Sequence, residues 1–118
     1  MRDQVLAIMP EGGFDFRPHD GRVELRDIHD FGLDPFEVGM RLIIQGAKIK
    51  FLVHEEGRLL NLPPTLIRPW DAQVLLGPVL VVQAKEHPVD GEIFTGMPHP
   101  LAANLGVALQ LLGYERLL

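Results

Sequence analysis

The stretch Val79-Leu80-Val81-Val82-Gln83-Ala84 decides which fold this chain adopts. Its first four residues are apolar and three of them are β-branched, which is typical of a strand. Gly77-Pro78 stand directly before it and indicate a bulge or the start of the strand, since proline has no N–H for a mid-sheet position. Because apolar and polar residues do not alternate here, we expect both faces of this strand to be covered.

Other short apolar or alternating runs predict the remaining strands, at residues 5–9, 14–17, 40–45, 48–54, 58–61, 74–76 and 92–95. The first run ends at a turn-forming Pro-Glu-Gly-Gly segment, so we expect 14–17 to pair back on 5–9 as a short hairpin.

Two hairpins are expected in the middle of the chain. Residues 40–45 and 48–54 flank a tight turn at Gly46-Ala47 and predict the first hairpin. Glu55-Glu56-Gly57 are turn-forming residues, and they predict a second hairpin in which 58–61 pairs with 48–54.

Helical spacing occurs in two places. Residues 22–31 carry three apolar side chains at helical intervals, Leu25, Ile28 and Phe31. Gly32 follows them and is typical of the end of a helix. Residues 98–100 lead into a helix that runs to about Leu112, with Gly113 as its stop. We therefore predict one α+β domain over residues 1–118, with a mainly antiparallel sheet of four to six strands and two helices packed mostly on one face.

Composition excludes several classes of protein. The 118 residues are 47% apolar and 23% charged, which is typical of a globular domain. The absence of cysteine excludes disulfides, cysteine-ligated zinc and a thiol nucleophile. The net charge of −5 argues against a broad nucleic-acid surface. The apolar stretch 100–114 is interrupted and too short for a bilayer, so we expect no membrane partner and a cytoplasmic location.

The segment His54-Glu55-Glu56-Gly57-Arg58-Leu59-Leu60-Asn61-Leu62-Pro63-Pro64, followed by Asp71, residues 74–82 and Phe94-Thr95-Gly96, resembles the domain of unknown function 3846 family. The resemblance covers about residues 50–96. It departs from the family at His54, where the family has asparagine, and at Pro78, where it has threonine. Such domains are commonly carried by phages, plasmids and other mobile elements. The resemblance implies a genetic context and transfers no activity to named residues.

Two groups of residues are candidates for a binding site. A hairpin that brings His54 near Asn61, with Glu55 beside them, indicates a general base oriented by a carboxylate. The alternative is an ordinary solvated turn, since no serine or threonine lies nearby in sequence. Arg68 and Trp70 stand in a proline-rich loop and are residue types that anchor interfaces or stack on ligands.

Trp70 also has a structural interpretation. Pro63-Pro64 donate no backbone N–H, so we expect them to stop pairing. The corner at Leu62-Pro63-Pro64 is then expected to hold Trp70 over the sheet, against residues 79–84, as a buried lid.

No motif for a metal or cofactor is present. The five histidines include His87 near Asp90, and His19 near Asp20 and His29, but none stands in the i, i+4 spacing of a helical zinc site. The glycines form neither G-x-G-x-x-G nor a phosphate-binding loop. We therefore expect no metal, no cofactor and no catalytic residue that the sequence alone can name.

The C-terminal helix predicts a homo-oligomer, most simply a two-fold dimer. One apolar stripe suits packing on the sheet: Leu101, Leu105, Ala108, Leu109 and Leu112. A second stripe and a small residue form the expected interface: Ala103, Gly106, Val107, Leu111 and Tyr114. The alternative is that both stripes are buried within the monomer, between the sheet and the loops at 62–73.

Two functions follow from these observations. The first is a noncatalytic accessory protein of mobile-element type that interacts with itself or with a host protein. The second is a small-ligand binder or weak hydrolase that uses a pocket between His54, Asn61 and Trp70. A concave pocket with convergent titratable groups favours the second, and an exposed apolar patch favours the first.

Overall fold

The computed structural model describes residues 2–11, 13–68 and 70–111, with side chains up to residue 109. Its elements in chain order are β1 (Gln4–Ile8), β2 (Phe14–Pro18), α1 (Leu25–Asp30), β3 (Phe36–Ile44), β4 (Ala47–His54), β5 (Pro64–Ile67), β6 (Val74–Leu76), β7 (Val79–His87), β8 (Gly91–Thr95) and α2 (His99–Leu111).

Strand β7 is the centre of a six-stranded sheet in the order β2-β1-β7-β4-β3, and β8 also pairs with β7. On one side β7 pairs with β4, through Val81 opposite Phe51. On the other side its first half pairs with β1 and its second half with β8. Every pair is antiparallel, and β5 and β6 form a separate two-stranded sheet. The predicted α+β class with a mainly antiparallel sheet is confirmed.

The two helices cover opposite faces of the sheet. Val79 and Val81 belong to the larger core cluster, which contains Leu105 of α2. Their neighbours Leu80 and Val82 belong to the second cluster, which contains Ile28 of α1. Because successive strand residues point to opposite faces, each helix buries its own side of β7. The non-alternating sequence of β7 is thereby explained, and the expectation that both helices pack mostly on one face is not confirmed.

The predicted β3–β4 hairpin is present, but β3 begins at Phe36, and the turn lies one residue earlier than expected. Gln45 and Gly46 connect it, with φ of 51° and 80°. Both values lie in the left-handed region that a two-residue type I′ turn requires, which glycine tolerates without strain.

The second predicted hairpin is wrong, because residues 55–61 form consecutive turns that bond to themselves. The Leu60 N–H donates to the Glu56 carbonyl at 3.0 Å, and the Leu62 N–H donates to the Gly57 carbonyl at 2.9 Å. Pro64 does not stop pairing either, since it is the first residue of β5, where a strand needs no N–H.

Candidate functional site

A cleft of about 320 Å³ lies beside the far end of the β3–β4 hairpin. The β3 residues 37–39 and the end of β4 form one wall. The turn residues 55–59 form the second, and the β5–β6 sheet supplies the third through Arg68 and residues 73–76. The cleft therefore exists only where the two-stranded sheet packs against the main one.

A bulge at Gly39 allows this close packing. The β3–β4 register shifts between Val38 and Met40, which leaves Gly39 unpaired with β4. A Cβ atom on Gly39 would lie 3.0 Å from Leu75 Cδ2 and 3.0 Å from Val53 Cγ2. The missing side chain thus provides the space in which β6 approaches the main sheet.

Arg68 ties the two sheets together. Its Nη1 donates to the Gly39 carbonyl at 3.0 Å and its Nε to Asp71 Oδ1 at 3.1 Å, while its Nη2 contacts Asp71 and Gln73. The hydrogen bond from Arg68, aided by the Gln73 N–H, holds the pKa of the Asp71 carboxyl below its ordinary value. The guanidinium is therefore largely occupied by contacts within the protein.

Trp70 lies at the surface, with 57% of its area exposed. Its ring centroid is 5.9 Å from the Arg68 guanidinium carbon, within cation–π range. The expectation that Trp70 is a buried lid on residues 79–84 is wrong, because the core beside Val79 and Val81 is filled by other side chains, among them Leu66, Leu75 and Leu105.

The structure brings some of the predicted site residues together and separates others. His54, Glu55 and Arg68 all line the cleft. Asn61 and Trp70 are not among its lining residues; Asn61 lies in the exposed turn with φ of 52°, which asparagine adopts more readily than most residues.

The environment of His54 opposes a general-base role. Its Nδ1 accepts a hydrogen bond from the Glu56 N–H at 3.0 Å, so the lone pair of the neutral ring is already engaged. Serine is absent from the sequence, and the only threonines, Thr65 and Thr95, are buried and donate to backbone carbonyls. Among the described residues, no serine or threonine hydroxyl therefore lines the cleft.

Sequence reasoning missed several residues that line the cleft: Glu37, Arg58, Leu59 and Gln73. Leu59 lines the cleft although 84% of its surface is exposed, which is unusual for a large apolar residue. The sequence pattern predicts a strand at Leu59, whereas the structure has a turn there.

The other histidines lie apart from the cleft. The Nε2 of His19 donates to the Arg22 carbonyl at 2.8 Å, and the Nδ1 of His87 accepts from the backbone N–H groups of Val89 and Asp90. His29 lies 3.5 Å from Asp34. Within the described residues, no group of three or more potential ligands is placed to hold a metal ion.

Helix α2 presents two different sides. Leu101, Leu105 and Leu109 are buried, whereas Ala103 is exposed and Val107 is 54% exposed. Gly106 is partly exposed, and nothing lies within 4 Å of a Cβ built on it. The Leu111 side chain and residues 112–118, which include Leu112 and Tyr114 of the predicted stripes, lie outside the described part of the structure. Among the described helices, none is long and apolar enough to cross a membrane.

Comparison of the chain with protein-family models, with curated proteins and with solved structures finds no match.

Proposed function

We propose that this chain is a noncatalytic protein-interaction module, an accessory protein of mobile-element type that binds a host protein at the cleft. The observation that carries the proposal is an exposed apolar side chain in the lining of the cleft, together with an exposed tryptophan next to a second lining residue. Leu59 lines the cleft, and the Trp70 ring lies beside Arg68, which lines it too. Tryptophan and arginine are the residue types that most often dominate binding energy at protein interfaces.

The charged residues of the cleft indicate which kind of partner surface would be complementary to it. Glu37, Glu55, Glu56 and Arg58 line the cleft, and Asp71 offsets the charge of Arg68. The lining is therefore acidic on balance. A partner that inserts a lysine or arginine beside the glutamates, and places apolar side chains on Leu59 and Trp70, matches this surface.

The occupied donors and acceptors support binding over catalysis. Arg68 is held by Gly39, Asp71 and Gln73, and the Nδ1 of His54 is held by the Glu56 N–H. Groups fixed in this way stabilise a surface and are poorly placed to exchange protons with a substrate.

Small-ligand binding or weak hydrolysis in the same cleft is the second candidate. Its support is the volume of about 320 Å³, at the lower end of the range for ligand pockets, together with the presence of His54 and Glu55. An interaction site depends on the rim residues Leu59 and Trp70, whereas a ligand pocket depends on His54 and Arg58.

The test is affinity capture from host lysate, followed by binding of the purified captured protein. We expect Trp70→Ala and Leu59→Ala each to weaken binding at least tenfold, as for interface anchors. Leu25→Ala is the matched control, because Leu25 is 58% exposed on α1, away from the cleft. Equal binding of the captured protein by Trp70→Ala, Leu59→Ala and Leu25→Ala contradicts the proposal. Loss of binding only in His54→Ala or Arg58→Ala favours the ligand pocket.

We also propose a two-fold dimer through α2, supported by the apolar side chain of Val107, which is exposed on the outer side of this helix. The only support for the mobile-element context is the resemblance of residues 50–96 to the domain of unknown function 3846 family.

A further inference from the structure

Among the described strands, β3 forms one edge of the main sheet and pairs on one side only, with β4. Ile44 and Ala47 close the two-residue turn, so this pair exchanges both of its hydrogen bonds. Pairs then alternate along the ladder, which directs the N–H and C=O groups of Arg41 and Ile43 away from β4. These four groups face the open side of the strand.

The two halves of β3 differ in what covers this open side. Near Gly39, the Arg68 guanidinium binds the backbone carbonyl and the β5–β6 sheet packs alongside. In the half of β3 that follows Gly39, residues 41–44 make backbone hydrogen bonds only within the β3–β4 ladder, as far as the structure is described. We call residues 41–44 the β3 edge. It is a row of backbone groups of the kind to which an added strand binds.

The side chains beside the β3 edge are cationic and apolar. Register places Arg41 opposite Lys50 and Ile43 opposite Lys48, so all four share one face of the hairpin. Lys50 pairs with Glu92. Arg41 and Lys48 have no ion-pair partner among the described residues, and Ile43 is 75% exposed. Together with Glu92 they line a groove of about 260 Å³.

We propose that the β3 edge binds an extended acidic peptide by strand addition. Its backbone pairs with Arg41 and Ile43, its carboxylates lie near Arg41 and Lys48, and an apolar side chain covers Ile43. The net charge of −5 does not prevent this, because charges more than about 10 Å apart in water are largely screened at 0.1 M salt. Two unpaired cations beside the edge therefore set the local preference.

Charge and backbone geometry favour this occupant over two others. A second copy pairing through its own β3 edge would bring two sets of Arg41 and Lys48 onto one face, where like charges repel. A nucleic acid would satisfy the cations, but it would leave the apolar Ile43 and the free backbone groups without partners. The inference goes beyond the proposed function, because the β3 edge and the cleft involve different residues and opposite charge preferences.

The experiment uses the full chain and a blocked, fluorescently labelled peptide of Glu-Thr-Val-Thr repeats, which as a strand presents glutamate and valine by turns on one face. Binding is followed by anisotropy, and amide hydrogen exchange is measured with and without the peptide. We expect the Arg41 and Ile43 amides to become protected, while the Leu42 and Ile44 amides, which already bond to β4, change little. We also expect affinity to fall as salt is added.

Variants locate the site. Lys48→Glu is expected to weaken binding about fivefold to tenfold. Lys85→Glu is the matched control, because Lys85 follows Ala84, the β7 partner of Lys48, and so points to the other face. Ile43→Pro removes an N–H that β4 does not use, and it is expected to abolish binding while the ladder stays intact.

Four results would overturn the inference. They are no binding of the peptide, equal binding of a peptide with lysine in place of each glutamate, protection of the same amides by self-association, and displacement of the peptide by a single-stranded oligonucleotide. Trp70→Ala should leave peptide binding unchanged. The β3 edge and the host-protein site therefore succeed or fail separately.

Discussion

The Arg68 guanidinium donates a hydrogen bond to the Gly39 carbonyl across 3.0 Å, and this contact joins the β5–β6 sheet to the bulge of β3. The acceptor is available because the bulge releases Gly39 from the β3–β4 ladder. The same contact forms a wall of the cleft and separates it from the β3 edge. The geometry of the cleft thus depends on one side chain.

Replacement of Arg68 is expected to destabilise the fold. Arg68→Met removes the bonds to Gly39, Asp71 and Gln73, and we expect the free energy of unfolding to fall by about 1–3 kcal/mol. Urea denaturation measures the change. Arg58→Met is the matched control, because Arg58 is exposed and its side chain lines the same cleft without a described hydrogen bond, and it should cost less than about 0.5 kcal/mol. Equal effects of the two substitutions would show that Arg68 does not hold the sheets together.

Replacement of Trp70 is expected to have little effect on stability. Because its side chain is 57% exposed, Trp70→Ala should lower the free energy of unfolding by less than about 1 kcal/mol. Phe51→Ala, at a fully buried position of β4, should cost about 3–5 kcal/mol in the same denaturation experiment. A cost for Trp70→Ala as large as that of Phe51→Ala would place the tryptophan in the core.

A pair of glycine substitutions tests the packing of the bulge. Gly39→Ala places a methyl group 3.0 Å from the Leu75 and Val53 side chains, so we expect a loss of about 1–3 kcal/mol through overpacking. Gly106→Ala meets nothing within 4 Å and lies inside α2, so it should stabilise the protein by about 0.5–1 kcal/mol. Thermal unfolding measures both, and a stabilising Gly39→Ala would rule out the close approach of β6.

The α2 dimer predicts a molecular mass twice that of the chain at tens of micromolar, roughly the range in which weak dimers form. Light scattering measures this mass. Val107→Asp places a charge at the exposed position and should return the protein to a monomer. A monomeric wild type excludes the dimer, and a dimeric Val107→Asp variant moves the interface elsewhere.

Local patterns predicted the elements whose signals lie within a few residues. The β3–β4 hairpin follows from two strand-like runs on either side of Gly46, and β7 follows from its β-branched run. Helix α2 follows from apolar spacing after a proline. Residues 55–61 were misassigned because turns that bond to themselves and a short strand have similar composition.

The candidate site was predicted only in part, for a related reason. His54 and Glu55 adjoin the end of a predictable strand, and Arg68 was singled out by its residue type. The bulge at Gly39 and the space beside Leu75 have no local signature, because a glycine in a strand has the same sequence whether or not a second sheet packs on it.

The sequence by itself determined the strands with strong local periodicity, the α+β class and the lack of any cysteine chemistry. Only the tertiary structure decided which helix covers which face of β7, where the β5–β6 sheet docks, and that Trp70 faces solvent while Leu66 is buried. The two kinds of feature differ in the distance along the chain over which their causes act. Backbone propensity acts over one or two turns of chain, whereas burial depends on surfaces that meet across residues distant in sequence.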